Sequence, residues 1–249
     1  MPCKNCVLLL FILIASTLLN SVSAQETQLQ TTNNQTDRWR IALNGGIGYR
    51  IASTKDSKQL FIQQGFEEPQ VDDYFKGIKW GPKASAQVHY LLKNGYGIGI
   101  DYQFHHSSGS MMGIFDPQDG VTLYYGEITD NVFTNYVGLS LYENLWLKPN
   151  KWNFYGQSSV GITFFRQEDI TLYSPVLITG QAVGINLEAG LEYFVTKQIA
   201  LAVNLNYFIS TISKITVDDG SSTNEIELEK EQREGLSRLD AGAGLRFYF

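Results

Sequence analysis

Between residue 39 and residue 249 the chain returns eight times to one pattern, in which apolar residues occupy every second position and small, polar or charged residues fill the gaps. A period of two puts alternate side chains on opposite faces of a strand. In the last repeat, "SRLDAGAGLRFYF", Leu239, Ala241, Ala243, Leu245 and Phe247 share one face, and Arg238, Asp240, Gly242, Gly244 and Arg246 share the other. The other repeats span 39–52, 80–92, 96–105, 132–145, 152–165, 182–196 and 199–211, each long enough for a tilted membrane strand of roughly 9–11 residues. Their polar faces carry Arg40, Arg50, Lys83, His89, Asp101, Glu188 and Glu192.

Connection lengths constrain the arrangement further. Strands two and three meet at "LLKNGYG", four and five at "LKPNKW", and six and seven at "VTKQIA". Asn94-Gly95 in the first of these is a strong hairpin signature. The remaining connections, 53–78, 106–131, 167–180 and 217–235, are long and polar. An even strand count with short turns at one end and long loops at the other predicts an eight-stranded antiparallel up-and-down transmembrane β-barrel, its short turns periplasmic and its long loops extracellular. Closure is required because hydrocarbon leaves no partner for the backbone groups of an open sheet edge.

In that barrel the apolar faces meet lipid and the polar faces fill the interior. Eight strands enclose a lumen just wide enough for side chains. The lumen charge network is therefore expected to comprise Arg40, Arg50, Lys83, Asp101, Glu188, Glu192, Arg238, Asp240 and Arg246, paired across the interior and leaving no large channel. His89 is expected to pair with a lumen carboxylate. Trp39, Tyr90, Tyr96, Trp152, Tyr193, Phe247 and Phe249 fall near the short-turn ends, where aromatic rings favour the headgroup level.

At the N-terminus, Lys4 precedes an apolar run over 7–19 and then Val22-Ser23-Ala24, the pattern of a secretory signal peptide cleaved after Ala24. The expected organisation is a signal peptide at 1–24, a polar periplasmic tail at 25–37 and the barrel at 38–249. Cys3 and Cys6, the two cysteines of the chain, leave with the signal, which excludes disulfides and thiolate chemistry from the mature protein. Loss of Lys4 moves the formal charge from −6 to −7, and this acidity argues against nucleic acid as a partner.

On these residues the chain resembles the small bacterial outer-membrane barrels of the OmpX/OmpA-like superfamily, over 39–249. Its terminal strand, with alternating apolar positions and a final Phe, resembles the signal that the barrel-assembly machinery reads. The resemblance assigns Leu245, Phe247 and Phe249 as recognition positions and implies outer-membrane lipid and that machinery as partners. It fixes destination better than activity, because the superfamily includes adhesins, anchors, secretion components of the PorT type and a few enzymes.

Few residues carry the makings of further chemistry. In "FHHSSGS", His106 and Ser108 share the lipid-facing parity of Tyr102 and Phe104, with Glu127 on the returning strand placed to approach them. This resembles the His-x-Ser arrangement of PagL-type lipid A deacylases, although Gly109 stands where that family carries Asn. The stretch is read rather as polar residues at the rim of a loop. The last loop, "DDGSSTNEIELEKEQREG", alternates Glu225, Glu227 and Glu229 with Ile226 and Leu228, the pattern of a hairpin continuing above the membrane with charges that blunt its edge. "DPQDG" at 116–120 lacks the spaced ligands of a calcium loop and reads as a turn. The reading is a non-enzymatic outer-membrane barrel without cofactor, acting in surface interaction, anchoring or envelope integrity. A secretion-system component, a deacylase-like esterase and a small-solute pore stand as alternatives.

Overall fold

The computed structural model describes residues 38–92, 95–115, 121, 124–148, 151–171, 174–229 and 232–249. The expected signal peptide, the polar tail, Asn94 and the 116–120 turn lie outside them. Eight antiparallel strands form a closed ring: β1 (Trp39–Arg50), β2 (Trp80–Leu91), β3 (Tyr96–Phe115), β4 (Tyr124–Lys148), β5 (Trp152–Thr171), β6 (Ser174–Phe194), β7 (Ile199–Ile212) and, after three short strands, β11 (Arg238–Tyr248). The ring closes where β11 pairs with β1, from Arg40 opposite Tyr248 to Arg50 opposite Arg238. Backbone bonds between Phe249 and Trp39, at 2.9 and 3.0 Å, seal the lower end of the seam. Among the described residues no helix is long and apolar enough to cross a membrane.

Register sets the shape of the barrel. Following partners once round the ring from Arg40, through His89, Gly99, Ser140, Ser159, Asn186, Phe208 and Arg238, leads to Arg50, ten residues further up β1. With eight strands, ~3.3 Å per residue and ~4.8 Å between strands, this shear tilts the strands by ~41° and gives a backbone radius of ~8 Å. Aromatic pairs mark two levels on the outer surface: Trp39 with Tyr90 (ring centroids 5.2 Å apart) and Tyr49 with Trp80 (4.9 Å). Ten residues of β1 separate Trp39 from Tyr49, and at that tilt the two girdles stand ~25 Å apart, the height of the apolar band of outer-membrane barrels.

Between the girdles the fold is apolar outside and polar inside. Leu139 is 73% exposed and Val183 69%, whereas Arg40, Glu192 and Arg246 are 0% exposed. Such an exterior is stable against hydrocarbon and unstable against water. By fold and by surface the chain is a transmembrane β-barrel, closed, polar inside and apolar outside.

Above the upper girdle the structure departs from the sequence reading. Strand three does not stop near His105 but runs to Phe115, and strands β4, β5 and β6 also extend well beyond the apolar band, so the connections at 106–131 and 167–180 are largely paired strand. Beyond the apolar band the outer face of these strands meets water in place of lipid, and polar residues such as His106, Ser108 and Ser110 enter it. The hydrophobic alternation that marks the spanning segments fades there, while the helix over Glu68–Lys79 keeps the inner face of β3 covered. The connection at 53–78 folds into two helices, α1 (Lys55–Gln63) and α2 (Glu68–Lys79). In the last long connection, β8 (Lys214–Asp218) and β9 (Thr223–Glu227) form a hairpin that adds to β6 rather than prolonging β7 and β11. The two-residue β10 (Glu234–Gly235) pairs with β7.

Candidate functional site

Three layers fill the barrel interior between an apolar floor and an apolar roof. The floor comprises Phe194, Ala200 and Tyr248, with Leu91 packed against them. Immediately above it Glu192 accepts from three donors, Arg40 Nη2 at 2.8 Å on one oxygen and Asn153 Nδ2 at 2.8 Å and the Tyr248 hydroxyl at 2.6 Å on the other, and Arg246 Nε stands 3.3 Å from the first oxygen as an ion pair. Arg40 lies over the Tyr142 ring, 4.3 Å from its centroid, so its guanidinium face is covered as well as its edge. Glu188 accepts from the Tyr155 hydroxyl (2.6 Å) and from Gln87 (2.9 Å), and stands 3.8 Å from Arg246. Gly190 leaves the space that the Tyr155 ring occupies, because a Cβ there would overlap it.

In the middle layer Asp101 has no cation within ion-pair distance among the described residues. Gln103, Ser159 and Asn186 all donate to its Oδ2, at 3.0, 2.9 and 3.1 Å. The Gln103 amide also accepts from Arg238 Nη2 at 2.9 Å and so relays positive charge to the carboxylate. In the upper layer Asp240 is shared by Arg238 Nε (3.1 Å) and Lys83 Nζ (3.2 Å), and Arg238 stacks 4.1 Å from the Phe208 centroid. Arg50 sits apart at the rim, bonded to Glu234 of β10. Among the described residues the remaining buried charges are four cations, Arg40, Lys83, Arg238 and Arg246, and four anions, Asp101, Glu188, Glu192 and Asp240. Each half of the interior holds two of each sign, so the plug carries no formal charge.

The roof is apolar: Val132, Tyr136, Phe165, Phe208, Ile212 and Leu236 converge inside the mouth. Over it, α2 packs Val71, Tyr74 and Phe75 against Met111 on the inner face of the β3–β4 wall. Gly77 allows this approach, since a Cβ at that position would strike the Ser108 carbonyl. The Tyr74 hydroxyl donates to Asp130, which faces Asp169 across the β4–β5 ladder. These groups lie roughly 10 Å beyond the upper girdle. Burial and the Asp130 charge push the Asp169 carboxyl up to about 7, and burial with the same neighbour raises the Tyr74 phenol well above its ordinary range.

Two expectations about individual residues are corrected. His89 has no carboxylate partner: its Nδ1 lies 3.4 Å from Arg40 Nη1, its Nε2 lies 2.8 Å from Ser140 Oγ, and both carboxylates of the lower layers are engaged by stronger donors. The His106–Ser108–Glu127 constellation is not assembled. Glu127 is opposite Met112, Ser108 is opposite Asn131, and the His106 ring stacks on Phe133 with 4.6 Å between centroids. Four residues of strand, ~13 Å, separate Ser108 from the register position of the acid, and His106 Nε2 has no hydrogen-bond partner. Of the three residues assigned by resemblance, Leu245 and Phe249 are exposed, Phe247 is half-buried, and all lie on the lipid-facing side of β11 or at its end. Tyr155 and Tyr248 are part of the plug although the sequence reading did not place them there. Their parity with Asn153 and Arg246 was the available signal.

No protein-family model matches the sequence, and no curated protein matches it. Solved structures do share the fold. A major outer membrane protein from Thermus thermophilus superposes with a TM-score of 0.50 at 10% identity, over 85% of this chain and 99% of that one. Neisserial surface protein A gives 0.47 at 10% identity, over 85% and 97%. The outer membrane protease OmpT from Escherichia coli gives 0.46 at 9% identity, over 88% and 99%. At such identities the likeness is one of architecture and carries no activity from any of the three.

Proposed function

We infer that this chain resides in a bacterial outer membrane, is exported by the signal at 1–24, and acts there as a non-enzymatic surface-interaction protein. The observation that carries this reading is a neutral, mutually bonded plug combined with ordered elements that rise beyond the upper girdle. A plug whose ionised groups are held by ion pairs or hydrogen bonds within the lumen ties the barrel together and obstructs the passage of solutes. The ordered extracellular part is more than a set of turns. It consists of two helices, the tall β3–β4 and β5–β6 hairpins and the β8–β9 hairpin, a rigid platform for recognition. Leu245, Phe247 and Phe249 serve as the assembly signal for insertion.

Two measurements test this reading. Planar-bilayer recording of the purified protein is expected to give no stepwise conductance, and regular open-channel steps would overturn the plugged lumen. Cells displaying the full chain are compared with cells displaying a version whose β3–β4 and β5–β6 hairpins are cut back to short turns, for retention on immobilised proteins and glycans. Equal retention by both would overturn a role in surface interaction.

A further inference from the structure

Closure removes sheet edges within the membrane but not above it, where the taller strands lose some of their neighbours. The free side of β3 is covered by α2, with Gly77 against Ser108 and Gly109. At the far side of the same wall, β6 is extended by β8 and then β9, and there the sheet order ends. All five residues of β9 are exposed. Bonds from Asp219 N to Ser222 O (3.2 Å) and from Leu228 N to Ser213 O (2.8 Å) bracket the hairpin. In an antiparallel ladder bonded pairs alternate, so Asn224 and Ile226 bond to β8, and Thr223, Glu225 and Glu227 turn their N–H and C=O groups away from it. Among the described residues nothing pairs with these groups.

The side chains define what can pair with that edge. Ile226 is opposite Ile215, which packs against the apolar roof, so Ile226 and Asn224 lie on the inner face. Glu225 and Glu227 lie on the outer face with one cation between them, Lys214, 2.6 Å from Glu225. A second copy of β9 in full register would set Glu beside Glu, and like charges directly opposite destabilise a ladder. We propose that β9 is a docking edge for an extended, cationic segment of a partner protein, added as a further antiparallel strand. Such a segment carries Lys or Arg on alternate residues facing Glu225 and Glu227, and an apolar residue between them facing Ile226. Main-chain bonds give this mode its strength and the alternate side chains give its selectivity. The proposal rests on the surface-interaction reading and names the partner chemistry of one element within it.

The test uses the full chain in detergent micelles and a nine-residue peptide alternating Lys and Val, with binding followed by fluorescence anisotropy. Saturable binding is expected, with affinity at least tenfold weaker for the same peptide N-methylated on alternate residues. N-methylation removes the donors and keeps the charges, so equal binding of the two peptides would reduce the edge to a charged surface and overturn strand addition. The double variant Glu225→Lys/Glu227→Lys is expected to lose the Lys–Val peptide by at least tenfold and to bind a Glu–Val peptide instead. Unchanged preference would place the site elsewhere and refute the assignment. No binding of any peptide to the wild-type chain would also refute it. If cells still depend on the β3–β4 and β5–β6 hairpins for retention, that result rejects the β9 edge alone and leaves the broader reading standing.

Discussion

In the Glu192→Gln variant the lowest layer of the plug loses its central charge while both of its arginines remain. The native carboxylate takes a hydrogen bond from Arg40 and the charge of Arg246 on one oxygen, and hydrogen bonds from Asn153 and Tyr248 on the other. A glutamine amide keeps one accepting oxygen and turns an NH2 toward donors, so the contacts of one oxygen are lost along with the charge. Arg246 then keeps Glu188, 3.8 Å away, while Arg40 loses Glu192, the anion it pairs with. Removing one partner of a buried ion pair costs about 3–5 kcal/mol. With two arginines affected, ~4 kcal/mol is expected, a fall of about a thousandfold in the folding constant. The measurement is urea unfolding of protein folded into phospholipid vesicles, followed by the fluorescence of the four tryptophans. The Arg40→Met/Glu192→Met double variant supplies the control, because it removes one charge of each sign and leaves Arg246 with Glu188. It is expected to be at least ~2 kcal/mol more stable than Glu192→Gln, since a buried pair replaced by apolar groups is often neutral. A loss below ~1 kcal/mol for Glu192→Gln, or a double variant no better than the single, would mean that water screens these charges and that the plug is not dry.

Other perturbations probe the seam, the helical cap and its acid pair. Phe249→Asp is expected to impair membrane insertion, whereas Arg246→Gln is expected to lower stability yet still insert, as read from heat-modifiable migration of membrane fractions. The opposite result would mean that the two faces of β11 are exchanged. Because the docked state raises the Asp169 carboxyl to about 7, the stability it lends to the α2 seat is full below the ordinary aspartate range and is lost as pH rises through 7. Hydrogen-exchange protection of α2, corrected for intrinsic rate, is expected to decline from pH 5 to pH 8, and Asp169→Asn is expected to flatten that slope. Gly77→Val is expected to lift α2 from β3 and expose the tyrosine and phenylalanines beneath it to proteolysis, with barrel insertion unchanged. Normal protection of α2 would show that the close approach to Ser108 is dispensable.

The spanning strands were legible in the sequence because the membrane imposes opposite demands on the two faces of every strand over ten residues. Arg40, Lys83, Asp101, Glu192 and Arg246 could be assigned inward by parity alone, since the alternative puts a charge in hydrocarbon. Their partners could not be read this way, because parity fixes a face and not the stagger between distant strands. A register shift of ten residues round the ring brings Glu192 of β6 to Arg40 of β1, and no local pattern encodes that sum. Asp101, held by amides and a hydroxyl instead of a cation, illustrates the same limit. The helix α2 left a readable trace in Val71, Tyr74, Phe75 and Ile78, spaced for one helical face and following Pro69 near the start. That trace was masked by the short span and the charged residues between. The His106–Ser108 stretch shows how shared parity alone can imitate a site: its proposed acid stands four residues away along the strand.

The pairing of β1 with β11 joins segments two hundred residues apart, and neither strand has another way to satisfy its free side within the membrane. The backbone hydrogen bonds of the seam therefore form last in any order of assembly in which neighbouring strands pair first. A chain lacking β11 holds seven strands' worth of hairpins and still exposes two unpaired rows of peptide groups to hydrocarbon, a cost of several kcal/mol for each orphaned group. The seam thus acts as a check on completeness: a product without β11 loses the proposed assembly signal and, independently of it, has no stable place in the bilayer.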